Sequence, residues 1–281
     1  MNLQKHEDLV NKNLEYVWHP FTQMGVYSKH DPIIIEKGKG SYLYDTKGNK
    51  YLDGYASLWV NVHGHNDKKL NKAIHKQLDN IAHSTLLGSS NIPSIELAEQ
   101  LVRITPESLK KVFYSDTGSA AVEIAIKMAY QYWKNLDPVK YAKKNKFITL
   151  HNGYHGDTIG SVSVGGIDAF HKIFNDLIFE NIQVDCPSFY HSDYESEEEM
   201  VESILTHIDT ILQERADEIV GFVMEPLIQG ATGLFVHPAG FLKGVEKLCR
   251  KHNILLIVDE VAVGFGRTGQ MFACYHEDVK P

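Results

Sequence analysis

The sequence predicts an α/β fold: a mainly parallel sheet with flanking helices, preceded by a small α+β lobe. Three observations carry this reading. From about residue 68, short apolar runs alternate with amphipathic stretches of helical period, the pattern of βαβ units. Before residue 60 the runs are shorter, more polar and joined by turns. Two later runs, Ile219 to Glu225 and Ile254 to Asp259, end on carboxylates. Open α/β sheets place their ligand chemistry at the C-terminal ends of parallel strands.

The first ~16 residues predict an amphipathic helix, with Leu3, Leu9, Val10, Leu14 and Val17 on its apolar face. Pro20 ends it by pushing His19 towards extended geometry. Short strands follow at Ile33 to Glu36, Tyr42 to Tyr44 and Tyr51 to Asp53, with Lys47-Gly48-Asn49 as the turn between the last two. Residues 1–60 thus form a helix and a small antiparallel sheet, and residues 61–281 a large domain. In the large domain, helices are expected over Lys69 to Asn80, Ile95 to Ile104, Ala120 to Trp133 and Gly240 to His252. Strands are expected at Lys111 to Ser115, Phe147 to Leu150, Ile219 to Glu225 and Ile254 to Asp259. Asp168 to Glu199 reads as irregular, with the acidic run Glu195 to Glu199 a solvated loop or a helix start.

Composition narrows the function. A chain of 281 residues with 43% hydrophobic and 23% charged content is ordinary for a globular protein. Its net charge of −8 argues against nucleic acid as a partner. Cys186, Cys249 and Cys274 are widely spaced and odd in number, which suits a reducing cytoplasm and neither a disulfide framework nor a zinc site. No window is long and apolar enough to span a bilayer, so no membrane role is expected.

Several motifs carry chemistry. Asp116-Thr117-Gly118-Ser119 follows an expected strand and opens a helix. It reads either as a capped helix start or as a phosphate site built from free N–H groups, a small Gly118 and the Ser119 hydroxyl. His151 and His155 have the spacing of a helical zinc pair, but Gly153 and Gly156 disfavour that helix, so no metal is expected. Glycines flanking Tyr154 suggest a sharp loop presenting an aromatic face, or a plain Gly-rich turn. Gly264-x-Gly266-x-x-Gly269 matches a dinucleotide fingerprint only literally, because it begins five residues past the strand and no amphipathic helix follows.

Asp259 stands out most. A carboxylate at that strand end could serve a metal, a ribose or a protonated ring nitrogen. Burial favours its neutral form, and a protonated pyridinium nitrogen would reverse that by pairing with it. Glu260, with Glu225-Pro226 at the same sheet edge, suggests a polar network there.

Taken in order, these segments resemble the class III pyridoxal-phosphate-dependent aminotransferases of fold type I. The resemblance covers nearly the whole chain. It rests on Asp259-Glu260-Val261-Ala262-x-Gly264-Phe265-Gly266-Arg267-Thr268-Gly269, on Gly118-Ser119, and on Asn152-Gly153-Tyr154-His155-Gly156-Asp157-Thr158. Trp18-His19-Pro20-Phe21-Thr22, Asp53-Gly54 with Val62-His63-Gly64-His65, Ala82-His83-Ser84 and Met128-Ala129-Tyr130-Gln131-Tyr132-Trp133 resemble the branch that acts in biotin synthesis.

The resemblance implies that pyridoxal 5'-phosphate is the cofactor. It implies that Gly118 and Ser119 hold the phosphate, Tyr154 and Val261 cover the two ring faces, and Asp259 pairs with the ring nitrogen. Tyr154 also touches substrate and is supported by Asp157, while Phe21, Leu58 and Trp59 line the substrate pocket. The implied reaction moves an amino group from a small-molecule donor to a keto acceptor, converting 8-amino-7-oxononanoate to 7,8-diaminononanoate in a cytoplasmic homodimer. The alternatives are another ω-amino-acid transaminase of the ornithine, acetylornithine or 4-aminobutyrate type, and an inactive cofactor-binding fragment.

Departures bear on these expectations. Leu58 stands where many members carry Trp, Phe21 where they carry Tyr, and Val263 where they carry Thr. The first two make the pocket less aromatic and less polar, which leaves adenosylmethionine and lysine both open as donor. The resemblance also assigns the Schiff-base lysine and the small C-terminal domain to positions after Pro281. Lys280 reads as a surface residue, and the large domain is expected to be incomplete and inactive alone.

Overall fold

A computed structural model describes residues 3–190 and 192–281, apart from the side chains of Leu3, Phe170 and His171. The place of Leu3 on the first helix's apolar face lies outside the described residues. The chain divides into two compact units, Met1–Ser90 and Asn91–Pro281. The division falls later than residue 60, where the sequence pattern changes.

The first unit begins with α1 (Leu3–Tyr16) and a single turn, α2 (Met24–Tyr27). Its sheet is β1 (Ile35–Lys39), β2 (Tyr42–Asp45) and β3 (Lys50–Leu52), antiparallel throughout. The turn after β2 has Gly48 at φ +90, a conformation glycine adopts without Cβ strain. The short α3 (Ala56–Trp59) is a left-handed turn, with positive φ at each of its residues. It is held by Asp53, whose carboxylate accepts the Ser57 N–H and hydroxyl, each at 2.8 Å. The same carboxylate also meets His65 Nε2 at 2.7 Å. α4 (Lys68–Asn80) closes the unit, its first turn capped by the Asp67 carboxylate.

The second unit opens with α5 (Ile92–Ile104) and α6 (Gly118–Leu136). The segment Lys111–Ser115 between them is not a strand, contrary to its apolar pattern. The physical reason is pairing: among the described residues no neighbouring strand takes its backbone groups, and Phe113 is exposed.

Next come β4 (Lys146–Leu150), the short helices α7 (Ile159–Ser163) and α8 (Asp168–His171), and β5 (Ile182–Val184). They are followed by α9 (Glu197–Arg215), β6 (Ile219–Met224) and a hairpin of β7 (Ile228–Gln229) with β8 (Phe235–Val236). α10 (Phe241–Lys251) and β9 (Leu255–Val258) complete the sheet. β5 and α9 correct the irregular reading of 168–199. The Glu197–Glu199 run is the first turn of α9, where acidic side chains favour the helix dipole.

The sheet order is β5-β4-β6-β9, all parallel. β6 lies inside it, between β4 and β9, and is buried along its whole length, as parallel strands covered on both faces are. One face packs α9 and α10 through Met200, Ile204, Ile208, Phe241 and Val245. The other packs α6 through Val122, Ile126, Ala129 and Trp133, whose indole N–H donates to Val220 O at 2.9 Å. These layers hold the C-terminal ends of β4, β6 and β9 side by side. Among the described residues no helix is long and apolar enough to cross a membrane.

Candidate active site

Three segments meet at those strand ends: the start of α6, the loop Asn152–Asp157 after β4, and the residues after β9. Each owes its position to local chemistry. At α6, the Thr117 side chain accepts the Ala120 N–H at 3.1 Å and so caps the helix. Among the described residues the N–H groups of Gly118 and Ser119 have no acceptor, which is the donor pair an anion needs. A Cβ on Gly118 would lie 3.1 Å from Val261 Cγ2, so only glycine leaves the gap between helix start and Val261 open.

The loop after β4 turns sharply, with Asn152 at φ 66 and Gly156 at φ 117. A Cβ on Gly156 would overlap Ser119 Oγ. Ser119 Oγ also accepts the Asp157 N–H at 3.3 Å, so loop and helix start are in contact. The Tyr154 hydroxyl donates to Asp157 at 2.6 Å. Burial first, and then that carboxylate, push the Tyr154 hydroxyl's pKa well above its usual value, so it stays protonated.

Asp259 is nearly buried. Its Oδ2 faces His155 Nδ1 at 2.8 Å and its Oδ1 accepts the Val261 N–H at 3.0 Å. A carboxylate has about four acceptor sites, so capacity remains for a further donor. Glu225, at the end of β6, accepts the Tyr154 N–H at 3.0 Å and the Gly230 N–H at 2.8 Å. Burial raises its carboxyl above the usual range, against the pull of those two bonds. Glu260 turns away: it accepts the Ala273 and Cys274 N–H groups at 2.6 and 3.0 Å and so caps the short helix Ala273–Glu277.

Gly118, Ser119, Tyr154, Asp259 and Val261 are therefore gathered by contacts within one unit. Phe21, Leu58 and Trp59 belong to the first unit, at φ 48, 64 and 72, with Phe21 and Leu58 well exposed. Sequence reasoning weighs His155 only as a metal ligand and misses it as the partner of Asp259. Buried Gln229 is missed entirely, since a single Gln in a short strand carries no motif.

Residues 24–281 match the family described as Aminotransferase class-III. The adenosylmethionine-8-amino-7-oxononanoate aminotransferase of Staphylococcus aureus (strain NCTC 8325 / PS 47) is 78% identical over 275 residues, covering 98% of this chain and 61% of that one. The crystal structure of the enzyme of that name from Methanocaldococcus jannaschii DSM 2661 has a TM-score of 0.87 at 44% identity, covering 97% of this chain and 59% of that one. An ω-transaminase from Pseudomonas jessenii in complex with PMP has a TM-score of 0.90 at 36% identity, covering 97% and 60%. The chain thus spans about three-fifths of the length of the relatives it matches.

The fold is that of the pyridoxal-phosphate-dependent transaminases. The second unit's residues fit such a cofactor chemically: a glycine-floored donor pair for a phosphate, a loop-borne aromatic ring, and a shielded carboxylate with a spare acceptor position for a protonated ring nitrogen. From the match over residues 24–281, the chain belongs to the class-III aminotransferases.

Proposed function

We propose that the whole protein transfers an amino group from adenosylmethionine to 8-amino-7-oxononanoate, giving 7,8-diaminononanoate in biotin synthesis. The observation that carries this is the 78% identity, over nearly all of the chain, to an enzyme bearing that name. The ω-transaminase similarity is of the same shape but at 36% identity, so it supports the class and not the substrate.

Pyridoxal phosphate, when bound, supplies an electron sink for charge developing at the donor carbon. The roles we assign to the chain's own residues are supported by the contacts above and, for the two ring faces, by the family resemblance. Gly118 and Ser119 N–H groups bind the phosphate. Asp259 holds the ring nitrogen protonated, and His155 keeps the Asp259 carboxylate oriented through its Nδ1–H. Tyr154 and Val261 hold the ring from its two faces and exclude water from them. Asp157 fixes the Tyr154 hydroxyl. For Phe21, Leu58 and Trp59 of the first unit we propose substrate contact. We further propose a cytoplasmic homodimer, which the three free cysteines and the family suit.

The test is turnover by the purified whole protein. Mass spectrometry should detect 7,8-diaminononanoate from 8-amino-7-oxononanoate with adenosylmethionine. Product with lysine alone would reassign the donor. Turnover of ornithine or 4-aminobutyrate without turnover of the oxononanoate would overturn the substrate.

A further inference from the structure

Three side chains from one short segment, Glu225–Thr232, hold three backbone groups of the loop that carries Tyr154. Gln229 Nε2 donates to His151 O at 2.9 Å. Thr232 Oγ1 donates to Asn152 O at 3.0 Å. Glu225 Oε1 accepts the Tyr154 N–H at 3.0 Å. The segment is itself fixed: Gly230 N–H returns to Glu225 Oε2 at 2.8 Å, and β7 pairs with β8.

Gln229 is the centre of this arrangement. It is wholly buried, and a buried amide is costly unless both its ends are paired. The Oε1 end is satisfied by the Cys186 thiol, which burial pushes up to about 12 so that it remains an S–H donor. The Nε2 end reaches across to the loop, next to Gly153, where an added Cβ would lie 3.6 Å from it. A residue that only filled space there would be apolar. An amide with one end on the β5 side and one on the Tyr154 loop instead specifies where the loop's backbone runs.

The Tyr154 ring is tied at its tip by Asp157. Its root is set by the backbone, and so by Gln229, Thr232 and Glu225. We propose that Gln229, with Thr232, is a positioning residue that sets the plane of the Tyr154 ring against the cofactor. This rests on the reading that Tyr154 covers the cofactor ring.

The test uses the pyridoxal-phosphate-loaded whole protein and the variants Gln229→Met, Thr232→Val and Tyr154→Leu. Three quantities are read: the cofactor dissociation constant, the circular dichroism of the bound cofactor's visible band, and amide exchange over residues 152–157 without cofactor. Gln229→Met and Thr232→Val should melt within about 5 °C of the parent. Both should speed exchange over 152–157, shrink the visible dichroism and weaken cofactor binding, by about tenfold for Gln229→Met. On a Tyr154→Leu background, Gln229→Met should add less than about twofold, because the ring it positions is gone.

If Tyr154→Leu changes affinity and dichroism while Gln229→Met and Thr232→Val change neither, the positioning role is overturned and the cofactor reading stands. If Tyr154→Leu changes neither, the reading of Tyr154 falls and this inference with it. Should Gln229→Met fail to fold, Thr232→Val carries the same comparison, alone and on the Tyr154→Leu background.

Discussion

Nδ1 of His155 lies 2.8 Å from Oδ2 of Asp259, joining residues 104 apart in sequence, one in the loop after β4 and one at the end of β9. A carboxylate in its ionised form only accepts, so pairing with it calls for the His155 tautomer that carries its proton on Nδ1. Asp259 is thereby held by one ring and by its own Val261 N–H, with an acceptor position left over.

That arrangement predicts a separation of activity from folding at Asp259. Asn in its place keeps the shape: its carbonyl oxygen can accept the Val261 N–H and its amide can donate to Nδ1 of the other His155 tautomer, so the fold should persist. It loses the charge that keeps a ring nitrogen protonated. In the whole protein, Asp259→Asn should lower kcat/KM by at least about a hundredfold, about 3 kcal/mol, with a melting temperature close to the parent's. Activity within a few-fold of the parent would remove Asp259 from this role.

Gly156 offers a steric test. Its φ of 117 and the overlap that an added Cβ would make with Ser119 Oγ leave no room for alanine. Gly156→Ala should destabilise the protein by about 2–3 kcal/mol and displace Ser119 from the α6 start, weakening cofactor binding as well. Denaturant melts and cofactor titration check both parts. Unchanged stability and affinity would mean the loop does not need this close approach.

His237 should make stability depend on acid. Both ring nitrogens are buried without hydrogen-bond partners among the described residues. Burial pulls its pKa from 6.5 to about 4. Between those values the unfolded chain binds a proton that the folded chain does not, so stability falls as pH drops from 6.5 towards 4 and levels off below. The loss amounts to about 3 kcal/mol. His237→Phe keeps the edge contact with Phe241 and should flatten that part of the stability profile. Urea melts from pH 7 to 4 decide it, and an unchanged slope in the variant counts against His237.

Cofactor binding by the 281-residue chain should be non-covalent. Ser119, Tyr154 and Asp259 hydrogen-bond with, among others, Asp157, Ser161, Glu225, His155 and Val261, side chains that carry no amine. Lys280 is pinned through its backbone to Glu246 and Arg250 of α10. Borohydride treatment followed by mass spectrometry should leave the chain's mass unchanged. A stoichiometric pyridoxyl adduct on Lys280 would contradict this placement.

The sheet and its carboxylate-ended strands were legible because β6 and β9 are apolar runs bounded by clear breaks. α9 was legible in principle: Met200, Ile204, Ile208 and Leu212 repeat at helical spacing and all are buried, but its acidic first turn points towards solvent. β5, at three residues, is too short to show a period. Lys111–Ser115 shows the opposite limit, since an apolar run becomes a strand only when another strand takes its hydrogen bonds. Within the site, Asp259 and Tyr154 stood out through their neighbours in sequence. The bonds of Gln229 and His155 connect segments far apart in the chain, and no local pattern records such pairings.

Tyr154 and His155 are adjacent, yet one is tied through its backbone to the end of β6 and the other through its ring to the end of β9. A single inserted or deleted residue between Asn152 and Asp157 would break both ties together. The spacing of this loop is therefore constrained more tightly than the identity of any one residue in it. Variation in length should therefore be absent from this loop.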